Sequence, residues 1–113
     1  MERMRKRLII APLALLLSGC AATQIGRINS DPSRFRNRDV KVQGSVTNSF
    51  GALGAGGYQV DDGTGKIYVI STGSGVPSKG SRVLVSGVVM SGATVLGKSY
   101  GTAIRERDHK VRN

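Results

Sequence analysis

The residue best suited to covalent chemistry is Cys20, the single cysteine among 113 residues. Its thiolate is the strongest side-chain nucleophile of the chain and can take a lipid group as a thioether. The small residues Ser18 and Gly19 stand before it. With one cysteine no intramolecular disulfide forms, and the usual staple of small exported domains is missing. His109 is the only histidine. Acid–base catalysis needs an imidazole positioned in a cleft, and a Ser–His–Asp arrangement would have to use this same ring. Its place in a charged tail predicts a solvated side chain and no enzymatic activity. No Cys/His cluster exists to hold a metal. Asp61-Asp62-Gly63 lacks the full acidic pattern of a calcium loop and is read as a hairpin turn. No metal and no cofactor are expected.

The elements that would present Cys20 lie ahead of it. Arg3, Arg5, Lys6 and Arg7 make a basic start, followed by the apolar run Leu8 to Leu17, the order of an export signal. The run, about ten residues, gives roughly 15 Å of helix against roughly 30 Å of hydrocarbon, too short for a permanent span. Pro12 weakens a span further. Leu17-Ser18-Gly19-Cys20 resembles the lipobox of bacterial lipoproteins. That resemblance implies a signal peptide over 1–19, cleavage between Gly19 and Cys20, and a diacylglyceryl and palmitate-type anchor on Cys20. It also implies a place in the cell envelope. Ala21, where an aspartate would retain the protein at the inner membrane, implies the outer membrane, facing the periplasm. Residues 20–27 are then a lipidated tether, 28–108 the folded domain and 109–113 a charged, frayed tail.

Sixteen glycines and no tryptophan predict short strands and tight turns, and no window of 11–18 residues after the leader sustains a helical apolar period. Asp31-Pro32 reads as a helix start, with Asp31 as N-cap and a helix of about Pro32 to Arg36. Phe35 is expected to point inward, near Ile25 and Ile28. Five strands are expected: Asp39 to Thr47, Tyr58 to Asp61, Lys66 to Ser71, Arg82 to Met90, and about Tyr100 to Arg107. Val40, Val42 and Val46 share one face, as do Val83, Val85 and Val89. Gly44 and Gly87 fall on those apolar faces, as bends. Gly51 to Gly57 and Ser91 to Gly97 read as loops.

The valine–glycine pattern around Val40-x-Val42-x-Gly44-x-Val46, Asp62-Gly63-Thr64-Gly65 and Val83-x-Val85-x-Gly87-x-Val89 resembles the small OB-fold domains of exported bacterial proteins, similar to the anticodon-binding OB superfamily. It implies a mainly β, five-stranded Greek-key barrel with a short N-terminal helix. Many OB-folds carry a helix between strands three and four. Residues 73–80 are too short and glycine-rich for one, so the leading helix is assigned to plug the barrel instead. The fold's ligand side would include Phe50, Lys66, Tyr68 and Lys98, with Tyr58 in the core and Tyr68 the best stacking platform. Residues 20–113 carry 13 basic and six acidic residues, which points to anionic partners. Arg34, Arg36, Arg38 and Lys41, near the tether, are candidates to face lipid phosphates or cell-wall carboxylates. The reading is a non-enzymatic, lipid-anchored binding or structural module of the envelope, with an envelope protein or anionic wall component as partner. The alternative is single-stranded nucleic-acid or oligosaccharide binding, with nucleic acid disfavoured by export.

Overall fold

A computed structural model describes residues 22–52, 55–71, 73, 75–95 and 97–112. The leader, Gly19 and Cys20 lie outside the described residues. Two short helices, α1 (Ile25–Ser30) and α2 (Pro32–Phe35), precede five strands: β1 (Asp39–Ala52), β2 (Ala55–Asp61), β3 (Lys66–Ser71), β4 (Arg82–Val95) and β5 (Lys98–Val111). The strands close a barrel in the order β1-β2-β3-β5-β4. Neighbours run antiparallel except β3 and β5, which are parallel. This is the mainly β, five-stranded architecture that the alternating valines predict.

The interior follows the period of two. Val42, Val60, Val69, Val83 and Val85 are completely buried, with Val40, Val46 and Val89 close behind. Two glycines interrupt this valine series for a steric reason. Ser45 pairs with Arg82 of β4 and with Asp61 of β2, so β1 passes from one neighbour to the other there. A β-carbon at the adjacent Gly44 would collide with the Asp61 carbonyl oxygen, and one at Gly87 with the Arg105 carbonyl. Both glycines let strands approach where the sheet coils shut.

Beyond the handover β1 has lost β4, and the β3–β4 connection covers the exposed edge. Val46 N–H donates to the Ser81 carbonyl, Gly80 N–H to the Val46 carbonyl, and the Ser49 hydroxyl to the Pro77 carbonyl. Among the described residues of this connection no helix is formed. The N-terminus supplies the apolar plug: Ile25 and Ile28 of α1 are completely buried in the core cluster and Phe35 packs against it. Burying each isoleucine is worth about 1.5–3 kcal/mol, enough to hold a six-residue helix that would not persist alone. Its N-terminus is capped from across the barrel. Ile25 N–H donates to Asp62 Oδ2 (2.9 Å) and Gly26 N–H to Thr64 Oγ1 (2.9 Å).

Several boundaries differ from those expected. The domain starts inside the residues assigned to the tether: Ile25 is core, and Thr23 N–H donates to the Lys41 carbonyl at 2.7 Å. Asp31 makes no side-chain cap, because it lies between two helices and its side chain instead accepts from Ser33. Within the glycine stretches 51–57 and 91–97, residues 51–52, 55–57 and 91–95 extend the flanking strands, since ladder hydrogen bonds require no side-chain alternation. The tail is strand to Val111, paired with Val83.

Candidate ligand face and a buried polar cluster

Three rings meet on the outside of the barrel. Phe50 near the end of β1, Tyr68 of β3 and Tyr100 of β5 are all half-buried. Phe50 stacks on Tyr100 (centroids 5.2 Å apart, planes 7° apart), and Tyr68 sets its edge against both, 4.6 Å from Tyr100 and 6.3 Å from Phe50. Strand geometry places them there. A bulge at Thr47 shifts β1 by one residue, so Asn48 and Phe50 face outward where continued alternation would have turned them inward. Phe50 then lies over Gly57, where a β-carbon would come within 2.8 Å of its ring. Tyr100 precedes Gly101, whose φ of +65° belongs to a second irregularity, between β4 and β5. Such a cluster offers apolar area and two phenolic groups on rigid strands, a surface suited to recognising a planar, apolar or sugar-like group.

Of the four ligand-side residues expected from sequence, Phe50 and Tyr68 are thus brought together. Lys66 shares Tyr68's face but stands two residues nearer the α1 end, exposed, opposite Asp61. Lys98 pairs through its backbone with Val95 at the far tip of the β4–β5 hairpin, and its side chain lies outside what is described. Tyr100 was not among the expected site residues. Its signal, an aromatic before a glycine at a hairpin base, is too general to assign a face.

Tyr58 is inside, as expected, and it is not alone. Its hydroxyl donates to the Glu106 carboxylate, whose Oε1 lies 2.7 Å from His109 Nδ1. The Glu106 side chain is 1% exposed and that of His109 14%, so the histidine is not the solvated tail residue expected. A bulge at Arg107 causes this. Ser86 pairs with Asp108 and Gly87 with Glu106, which restores an inward direction to His109 after the even-numbered Ile104 and Glu106. Burial, then the hydrogen bond and negative charge of Glu106, push the Tyr58 phenol far above its usual range. The Ser71 hydroxyl lies 2.9 Å from the Gly75 carbonyl and 3.4 Å from Glu106 Oε2. The carboxylate stands between serine and histidine, the reverse of the order in which an imidazole takes a serine proton. Chemically the cluster is a set of satisfied buried polar groups that ties β2, β3 and β5 together.

Asp61 and Asp62 form the tight turn. Asp61 accepts from Gly63 N–H, and Asp62 from Thr64 N–H and hydroxyl as well as from Ile25. Burial alone would raise the Asp62 carboxyl, but these hydrogen bonds hold it below the usual carboxylate range. Among the described residues no group of three or more His, Cys, Asp or Glu side chains is placed to hold a metal. The four basic residues near the N-terminus are all exposed: Arg34 beside Asp31 at 4.0 Å, Arg36 and Arg38 in the link to β1, and Lys41 on β1.

No protein-family model matches the chain, and no curated protein is similar to it by sequence. Solved structures are similar to it. A putative aspartyl-tRNA synthetase from Leishmania major matches 89% of the chain at TM-score 0.61 and 15% identity, over 23% of its own length. Asparaginyl-tRNA synthetase from Pyrococcus horikoshii matches 69% at TM-score 0.56 and 16% identity, over 20% of its length. The barrel is an OB-fold. The chain spans about a fifth of these synthetases. A third match, OBody AM3L09 bound to hen egg-white lysozyme, covers 71% of this chain and 86% of its own, at TM-score 0.57 and 20% identity.

Proposed function

We propose that this chain is a lipid-anchored, non-enzymatic binding module of the bacterial cell envelope. Its partner docks on the face that carries Phe50, Tyr68 and Tyr100. The observation that carries the reading is the meeting of those three rings on the ligand side of an OB barrel. Fold alone assigns no partner, but one similar barrel bears the description of a lysozyme binder, so this architecture can serve a protein ligand. The rings already stack on one another, which favours a broad apolar contact over insertion of bases between them. An envelope protein is therefore the preferred partner, and oligosaccharide or single-stranded nucleic acid the alternative. Leu17-Ser18-Gly19-Cys20 after a basic and apolar leader supports the anchor, and Ala21 supports the periplasmic face of the outer membrane. Among the described residues the one histidine, His109, turns its Nδ1 to the Glu106 carboxylate, which supports a role without catalysis.

Crosslinking in intact cells followed by mass spectrometry tests both halves. The expected result is Cys20 carrying diacylglyceryl and acyl mass, with one protein partner lost in a Phe50→Ala/Tyr100→Ala variant that keeps its fold. An unmodified Cys20 would overturn the anchor. Salt-resistant retention on single-stranded DNA above that on heparin would replace the protein partner with nucleic acid.

A further inference from the structure

The chain leaves the barrel at a defined point. Thr23 N–H is bonded to the Lys41 carbonyl, so only Ala21 and Ala22 separate the docked residue from Cys20, a reach of about 10 Å over three steps at full extension. Lys41 lies on the outer face of β1, opposite Ser86 of β4, which in turn pairs with β5. That three-strand face has a distinct composition. Its middle strand presents half-buried Leu84, Val88 and Met90, alternating outward. Arg105 and Lys110 flank the stripe on β5, opposite Val88 and Leu84, and Lys41 flanks it on β1. Of the two acids here, Asp39 is paired with Arg107 at 2.5 Å and Asp108 stands beside Ser86. No carboxylate among the described residues pairs with Lys41, Arg105 or Lys110.

Resting on the lipid-anchor reading, we infer that the β1–β4–β5 face lies against anionic phospholipid head groups, Leu84, Val88 and Met90 at the interface and Lys41, Arg105 and Lys110 on the phosphates. Charge complementarity identifies the occupant: a cationic rim around an apolar stripe repels a second copy of itself and attracts phosphate. The tether then keeps Thr23, bonded to Lys41 at one edge of that rim, within about 10 Å of the anchor, comparable to the screening length at physiological salt. Anchor and basic face act as two membrane signals, one covalent and one electrostatic. In the ring, β2 and β3 lie across from β4. Seating β4 on the membrane turns β2 and β3, with Tyr68, toward the aqueous side, where a soluble partner reaches them.

The sequence contains no tryptophan, so one introduced reporter reads orientation. The full lipidated chain carrying Ser86→Trp, or Gln59→Trp on the opposite wall, is reconstituted into vesicles of phosphatidylcholine with phosphatidylglycerol, containing bromolipid. Strong quenching of Ser86→Trp and little of Gln59→Trp is expected. The difference should vanish in pure phosphatidylcholine, in high salt, and in a Lys41→Glu/Arg105→Glu/Lys110→Glu background, but persist with Lys66→Glu/Lys79→Glu. Equal quenching of both reporters, or a difference indifferent to phosphatidylglycerol, overturns the membrane-facing surface while leaving the anchor intact. Intact mass of the same preparation reports the anchor independently. Preference of this face for single-stranded DNA over the anionic vesicles, abolished by the same three reversals, would also overturn it.

Discussion

Tyr58 and Tyr68 lie on neighbouring strands, about one register step apart, and do opposite things. Tyr58 points into the barrel, fully buried, its hydroxyl on a buried carboxylate; Tyr68 points out, half-buried, its ring against two other rings. One residue type supplies packing and polar closure in the first place and part of a half-buried aromatic cluster in the second. The difference is which face of a strand the ladder assigns, not intrinsic chemistry. A polar tip is satisfied inside the barrel only because β5 brings Glu106 to meet it.

The sharpest break of this comparison is truncation. Tyr58→Ala should cost about 3–5 kcal/mol by analogy with other buried aromatics, and the remaining Glu106 loses a donor. Thermal unfolding followed by circular dichroism should show a collapse of stability for this variant. Tyr58→Phe keeps the ring and isolates the hydroxyl, with an expected loss of about 1–3 kcal/mol in urea unfolding. It should also change pH dependence. The folded phenol resists ionisation and the unfolded one does not, so native stability falls as pH rises above about 10; in the phenylalanine variant that fall should be shallower. Outside, Phe50→Ala or Tyr68→Ala should cost only about 1 kcal/mol and leave the circular dichroism spectrum unchanged while abolishing partner capture. A loss for Tyr68→Ala as large as that for Tyr58→Ala would erase the distinction.

The smallest effect concerns the plug. Asp62 is held below its ordinary value, so its contribution is present above about pH 4 and lost as pH falls through that range. Asp62→Asn should flatten the acid limb of a stability–pH profile and lower stability at neutral pH by only a few tenths of a kcal/mol, since asparagine caps about as well as aspartate.

Much of the barrel was legible in the chain before folding. Val40-x-Val42 and Val83-x-Val85 announce strands with one buried face, and Gly44 and Gly87 stand in those series because only hydrogen fits between coiled strands. Asp62-Gly63 announces a hairpin. Of the three clustered rings, Phe50 and Tyr68 stood out in the sequence as candidates and Tyr100 did not. His109 was misplaced for the same reason that Tyr100 was missed. Bulges at Arg107 and near Gly101 add one residue and invert the alternation, and nothing local marks where a ladder takes the extra residue.

Local sequence determined what depends on neighbours along the chain: which segments extend, which face is apolar and where turns close. Tertiary structure alone decided what depends on contacts between distant segments. It set Asp62 and Thr64 as caps for a helix 37 and 38 residues away in sequence, joined Tyr58 to Glu106 across 48 residues, and gathered three rings from three strands. Register, bulge position and barrel closure are collective properties of the whole ladder, so no window of the sequence contains them.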